Sequence, residues 1–354
     1  MTHNNWSMKH LKLVNYELNF EKIPKLLFPF NEDYLKFAIG ETLEQVGFSV
    51  IFDFAIPIKK SEGYFSPKLK KTNILPDVFL PDYGYFIEVE NFYSSNPLKQ
   101  FREYSSYLEL NNYSFKGCVI TWKCKEFTES SELHLVDPIT GDVNIPIIRS
   151  EPVKIEIYGN KDYPVGLAGS IHTWIQYELF KWLKRSGNLV SAEIHISPSG
   201  HVFVPDELRI SPNEGIIDWY PEKFTPYSGW SYYHVKSYVP KERHKQVDIS
   251  SYNGEEIHCY EIKLPEHFTS QERVIKSLQQ LHTYIKAEIF DRIWLVGPYE
   301  WIEKLYNYVP EIFFGELQKI GILGYDFAKR DFSIIKDAKK LDVKRREYTK
   351  IRIL

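Results

Sequence analysis

The sequence predicts an α/β protein built as two tandem halves, each a mixed β-sheet flanked by helices. One order of elements occurs twice: a strand carrying Asp, a turn, a strand carrying Glu, a helix carrying Gln and Tyr, then another strand. Length and composition agree, because 354 residues with 43% hydrophobic side chains suit two domains and supply enough apolar surface for two cores. The expected domains are 1–150 and 165–354. Between them, Arg149–Pro164 replaces apolar periodicity with charge, Pro152, Gly159 and Pro164.

In chain order, residues 1–30 show no strong period and read as a lead-in. Asn31, followed by Glu32 and Asp33, has the form of a helix N-cap with an acidic first turn, and Gly47 closes the pattern. Phe48–Ile56 alternates as a strand, and Ile58–Lys71 is a Lys-rich loop. Ile74–Leu80 then carries Pro76-Asp77. After a turn at Asp82-Tyr83-Gly84 comes Tyr85–Glu90, which carries Glu88 and Glu90. Gln100 and Tyr104 lie on the next helical stretch, Gly117–Thr121 is a strand, and Leu133–Ile148 reads strand, polar turn, strand.

The second half opens with a helix over Leu167–Arg185, stopped by Gly187. Its first strand, Ser191–Ile196, precedes an insertion over 197–246. Trp219, Tyr220, Phe224, Tyr227, Trp230, Tyr232, Tyr233 and Tyr238 there alternate with Lys223, Lys236, Lys241, Arg243, His244 and Lys245. Stacking on bases and packing as a satellite core are both open to such a segment. Gln246–Gly297 then repeats the order of the first half: Asp248 on a strand, Asn253-Gly254 at a turn, Glu261-Ile262-Lys263 at the end of the next strand, Gln280 and Tyr284 on a helix, and a strand from Arg292. Gly321–Ile335 repeats the strand, turn, strand ending. The tail from Lys336 to Arg352 is a charge run.

The turn between paired strands brings Asp248 and Glu261 together at one sheet edge, as it does Asp77 and Glu88. Two carboxylates placed so are suited to a hard cation. Lys263 lies two residues beyond Glu261, so alternation puts an ammonium on the same face. In the first half Glu90 stands at that position. Gln280 and Tyr284, like Gln100 and Tyr104, are four apart and share one helix face. Other chemistries find no support. Cys118, Cys124 and Cys259 lack metal-ligand spacing, the histidines show no paired-ligand pattern, and no phosphate-binding P-loop or nucleophile elbow occurs.

These residues resemble the PD-(D/E)XK nuclease superfamily. Val247-Asp248 and Pro76-Asp77 stand for its Pro-Asp element and Glu261-Ile262-Lys263 for its (D/E)XK element. Gln280-Leu281-His282-Thr283-Tyr284 stands for the Gln-x-x-x-Tyr element of its RecB-like branch. The resemblance implies a restriction-endonuclease-like fold in each half and a cation, Mg²⁺ or Mn²⁺, on Asp248, Glu261 and the carbonyl of Ile262. It implies that Lys263 orients or activates water, that Gln280 assists, and that Glu178 on the first helix adds a carboxylate, with Glu41 or Glu44 as its counterpart. In the first half it implies a cation on Asp77 and Glu88, with Gln100 and Glu90 in the assisting positions.

The function expected on this basis is metal-dependent hydrolysis of DNA, chiefly in the second half, on substrates that include single-stranded or branched forms. A non-cutting nucleic-acid-binding or assembly module with degenerate sites is the alternative, favoured by Glu90. The net charge of −3 leaves nucleic acid to be held by a local basic patch. Any ATP-driven motor would be a separate partner, and a homodimer is compatible with the reading. The cysteine usage, the first residues and the absence of a long apolar run predict a cytoplasmic protein without a membrane span.

Overall fold

The computed structural model describes residues 6–16, 30–58, 73–92, 94, 96–155, 164–196, 208–211, 213–219, 245–309, 312–343 and 352–353. Asn31 opens the first helix, α1 (Glu32–Gln45), by accepting the Tyr34 N–H on its side-chain oxygen at 2.7 Å. Glu32 and Asp33 complement the positive helix end, as the sequence predicts. The first half continues through β2 (Ile51–Phe52), β3 (Ile56–Pro57), β4 (Asn73–Ile74), β5 (Val78–Leu80), β6 (Tyr85–Val89), α2 (Leu98–Leu110), β7 (Lys116–Trp122), β8 (Leu133–Val136) and β9 (Asp142–Ile148). The strand expected over Phe48–Ile56 is broken, because Asp53 takes a left-handed backbone (φ 51°) between β2 and β3. The lead-in segment contributes β1 (Trp6–Lys12), which pairs antiparallel with β9.

The second half runs α3 (Ile171–Arg185), β10 (Leu189–Ile196), β11 (Leu208–Ser211), β12 (Ile216–Trp219), β13 (Lys245–Tyr252), β14 (Ile257–Ile262), α4 (Gln271–Lys286), β15 (Arg292–Pro298), α5 (Tyr299–Tyr308), β16 (Gly321–Asp326), β17 (Asp331–Lys336) and β18 (Arg352–Ile353). The fold is mixed α/β. The first half holds a sheet of order β2-β5-β6-β7-β8, and the second one of order β10-β13-β14-β15-β16-β17. In both, the first two ladders are antiparallel and the next two parallel, the β6–β7 and β14–β15 crossovers being made by α2 and α4. The repeat read from the sequence is thus a repeat of topology. It ends differently in the two halves, since β17 pairs with β16 whereas β9 turns to β1.

Two cores were expected, yet one cluster of buried apolar side chains runs through both halves, with a second cluster beneath the α2 face of the first sheet. Helices α1 and α3 join the halves. Phe52 packs on Tyr177 at 4.6 Å and Phe37 on Phe180 at 5.7 Å between ring centroids. Each such pair adds about 0.5–1.5 kcal/mol beyond its buried area. The start of each helix touches the first strand of the other half. Asn31 Nδ2 donates to the Ala192 carbonyl at 2.6 Å, and the Ser170 N–H donates to the Phe52 carbonyl at 3.2 Å. Gly169 allows the second contact, because a Cβ there would lie 1.9 Å from the Phe52 oxygen.

The described part of the insertion, the β11–β12 hairpin, docks on the first half. Ile217 N–H donates to the Lys123 carbonyl at 2.9 Å, and Lys123 Nζ reaches the Glu214 carbonyl at 2.9 Å. β18 adds to the free side of β11 in parallel. The aromatic and basic residues from Tyr220 to His244 and most of the basic tail lie outside the described residues, as do the side chains of Trp219 and Lys245. Among the described residues no helix is long and apolar enough to cross a membrane.

Candidate active site

In the second half, the antiparallel β13–β14 ladder and the position just after β14 bring Asp248, Glu261 and Lys263 together. Asp248 Oδ2 accepts the Ile262 N–H at 2.6 Å, which ties the first carboxylate to the strand carrying the second. Lys263 Nζ donates to Glu261 Oε1 and, at 3.2 Å, to Gln280 Oε1. Alternation along the strand therefore delivers the ammonium to its own glutamate. From α4, the Tyr284 hydroxyl lies 2.7 Å from Glu261 Oε2 and 2.6 Å from the Gln246 carbonyl, and it accepts from Gln280 Nε2 at 2.7 Å. The i, i+4 spacing of Gln280 and Tyr284 thus fixes the ion pair from behind.

All three charged groups are buried. Burial and the neighbouring Asp248 raise Glu261 to about 7. Burial also acts on Asp248, but pairing with His172, the Lys263 charge and the Ile262 N–H outweigh it and hold this carboxyl below its ordinary value. For Lys263, burial opposes the charge, and the Glu261 and Asp248 carboxylates reverse that and raise it.

In the first half Asp77 Oδ2 accepts the Val89 N–H at 2.8 Å, the same tie between Asp and the Glu-bearing strand. Gln100 Nε2 donates to Glu88 Oε2 at 2.8 Å and lies 3.3 Å from the Tyr104 hydroxyl. Glu90 carries no ammonium to this site, and burial together with Asp77 raises it to about 7. A cation arrives instead from α1. Lys36 Nζ lies 2.7 Å from Asp53 Oδ1 and 3.4 Å from Asp77 Oδ1.

Glu178 does not join Asp248 and Glu261. Its carboxylate binds Lys181 at 3.0 Å and Arg330 at 2.6 Å. The corresponding glutamates of α1 are also spent elsewhere, Glu41 on Lys184 at 3.0 Å and Glu44 on Lys181 at 2.8 Å, so they fasten α1 to α3. The side chains that α3 does present to the site are His172, whose Nε2 lies 3.5 Å from Asp248 Oδ2, and Gln176, which donates to the Asp248 carbonyl at 2.9 Å. They are four residues apart and share a helix face, a spacing visible in the sequence.

A third carboxylate in each half was also missed. Continuing the β2–β5 register places Asp53 opposite Asp77, and the β10–β13 register places Glu193 opposite Asp248. Asp53 and Glu193 share a left-handed backbone, φ 51° and 54°, uncommon outside glycine and held by the surrounding packing. Thr173 Oγ1 donates to Asp53 at 2.5 Å, so adjacent residues of α3 touch both sites.

Among the described residues no three His, Cys, Asp or Glu side chains converge at metal-ligand distance. The second half offers a buried pair of carboxylates and the first a buried Glu88 beside a half-buried Asp77, each with a third carboxylate opposite. The chain matches no family model, no curated protein and no solved structure. The reading of the site therefore rests on its geometry.

Proposed function

We propose that the protein is a metal-dependent nuclease that hydrolyses DNA phosphodiester bonds, with its principal site at Asp248, Glu261 and Lys263. Each half would then be a restriction-endonuclease-like unit. The observation that supports this best is the convergence of two buried carboxylates, one ammonium and the Gln280–Tyr284 pair at the edge of β13 and β14. The donor set fits a hard divalent cation. Burial first and the neighbouring Asp248 second raise Glu261 to about 7, and a cation between the two carboxylates would favour its ionised form. Asp248 and Glu261 would hold Mg²⁺ or Mn²⁺, with His172 and Glu193 beside them. When bound, the cation supplies Lewis acidity toward water and phosphate.

The remaining work belongs to the chain. Gln280 and Tyr284 keep Lys263 and Glu261 in register, and the Lys263 ammonium is placed to stabilise negative charge on an attacking water or a phosphate oxygen. Asp248, tied to the Ile262 N–H, keeps its carboxylate ionised and fixed. The alternative of a non-cutting nucleic-acid-binding module is favoured only in the first half, where Glu90 replaces the ammonium. A panel of linear, circular, branched and single-stranded DNA tested with Mg²⁺, Mn²⁺ and Ca²⁺ decides between them. Metal-dependent product that disappears in Asp248→Asn is expected, and binding without product from the folded protein would leave the non-cutting reading.

A further inference from the structure

The chain leaves both sites by the same turn. After β14 the His267 N–H donates to the Leu264 carbonyl at 2.9 Å, and after β6 the Ser94 N–H donates to the Asn91 carbonyl at 3.0 Å. The strand ends match as well, because the Lys263 N–H donates to the Val296 carbonyl at 2.8 Å and the Glu90 N–H to the Ile120 carbonyl at 3.0 Å. Aligning Glu261, opposite Leu295, with Glu88, opposite Val119, puts Lys263 at the position of Glu90 and His267 at that of Ser94. In the first half these two side chains meet, since Ser94 hydrogen-bonds the Glu90 carboxyl. The turn thus folds the side chain at its end back to the group that follows the strand. In the second half it brings an imidazole back toward the Lys263 ammonium.

The proton on that imidazole is placed by the ring's own bond. His267 Nδ1 accepts the Leu264 N–H at 2.9 Å, so in the neutral ring the proton sits on Nε2. Burial lowers the proton affinity of His267, and the charges of Lys263 and His172 lower it further, which keeps the ring neutral in neutral solution. The turn is also fastened to α4. Arg273 Nη1 donates to the Glu266 carbonyl at 2.8 Å and lies 3.3 Å from the Thr269 hydroxyl, and Phe268 packs on Trp301 of α5 at 5.4 Å between ring centroids. Among the described residues nothing accepts from Nε2. His267 is half-buried beside the buried Lys263, and its other cationic neighbour, His172, pairs with Asp248. The sequence places a held, neutral N–H donor, with its hydrogen bond still to give, next to the proposed reacting groups.

We propose that His267 is a further catalytic residue of the second-half site, where its Nε2–H donates to a non-bridging oxygen of the phosphate held beside Lys263. The assignment rests on the nuclease reading. Negative charge grows on that oxygen at the transition state, and a donor already fixed in place stabilises it without reorganising. A neutral donor also leaves the Lys263–Glu261 pair intact, because it brings no second charge to compete for the carboxylate. Ser94 cannot do the same in the first half, since its hydroxyl is spent on Glu90. The two halves therefore differ by a pair of groups, Lys263 with His267 against Glu90 with Ser94.

The deciding experiment compares the whole chain with its His267→Asn variant in Mg²⁺, on an oligonucleotide whose scissile phosphate, mapped with the wild type, carries sulfur in place of one or the other non-bridging oxygen. Asparagine keeps an acceptor for the Leu264 N–H and lacks Nε2, so the variant should melt with the wild type while its kcat on the all-oxygen substrate falls at least about tenfold. Sulfur accepts hydrogen bonds poorly. For one of the two diastereomers the oxygen-to-sulfur rate ratio should therefore shrink at least about threefold in the variant, the coupling expected of groups in contact. That ratio is taken within one preparation and does not depend on how much of it is folded. A wild-type rate for His267→Asn would overturn the assignment, as would ratios unchanged for both diastereomers, which would leave His267 as a cap of its turn. A wild type that cuts no DNA would remove the nuclease reading and this role with it, whereas an active wild type matched by its variant removes the role alone.

Discussion

The Lys36 ammonium lies 3.4 Å from the Asp77 carboxylate, joining α1 to the strand that opens the first-half site. It also bonds Asp53, which accepts from Thr173 of the other half. Lys36 is buried, and Asp53, Asp77 and Asp33 raise it above its ordinary value against the effect of burial. Removing one partner of a buried charge pair leaves the other uncompensated, at a cost of about 3–5 kcal/mol. Lys36→Met should lose stability on that scale in urea unfolding. A loss below about 1 kcal/mol would show that the aspartates do not need it.

The two halves should not contribute equally to cleavage. Lys36 serves Asp53 and Asp77, whereas Glu88 has Gln100 but no ammonium, and Glu90 adds a further carboxylate. Initial rates for Asp77→Asn should fall less than those for Asp248→Asn under the same metal-replete conditions. Equal losses would mean two working centres of the same kind.

Tyr284 is bonded on every side, to Glu261, Gln280 and the Gln246 carbonyl. Tyr284→Phe leaves buried groups short of a partner, at about 1–3 kcal/mol. The expected result is a lower melting temperature together with slower cleavage, because Glu261 and Gln280 are no longer held. Unaltered melting and unaltered rate would show that α4 does not position the site.

Gly169 marks where the second half begins against the backbone of the first. Its Cβ position coincides with the Phe52 carbonyl, which cannot move without disturbing β2. Gly169→Ala should cost about 2–4 kcal/mol, toward the upper end for single substitutions. Calorimetry that finds the variant as stable as the wild type would contradict the close contact between the halves.

A pH effect is expected far from the site. Glu256 accepts from Arg292 at 2.7 Å and lies 2.9 Å from Lys340, and these bonds hold its carboxyl at about 2. Because the folded value lies below the unfolded one, the stabilisation is full above about pH 4.5 and is lost as pH falls toward about 2. Lys340 is well exposed, so solvent screening reduces the contribution to about 1–2 kcal/mol. Glu256→Gln should be less stable by that amount at neutral pH, with the gap closing through the acid range. A gap independent of pH would assign the loss to packing.

The parts legible in the sequence were those with local causes. Asn31 and its acidic first turn marked α1, and the order of Asp248, Glu261, Gln280 and Tyr284 marked elements that meet at one edge. What escaped depends on distant partners. The direction of Glu178 is set by Arg330, the place of Lys36 by Asp53 and Asp77, and the strand character of Trp6–Lys12 by pairing with β9. Asp53 and Glu193 were hidden because a left-handed residue, between strands at Asp53 and within β10 at Glu193, has no periodic signature. The spacing of His172 and Gln176 was visible, but only the packing of α3 against β13 gives it meaning.

The most direct test of the central claim is the initial rate of Mg²⁺-dependent DNA cleavage by the wild type and by Asp248→Asn, with folding of both checked by circular dichroism. A bound cation is worth several kcal/mol at the transition state, so the variant should be slower by at least about a hundredfold. Cleavage by the folded variant at the wild-type rate would contradict the account, as would a wild type that cuts none of the linear, circular, branched or single-stranded substrates.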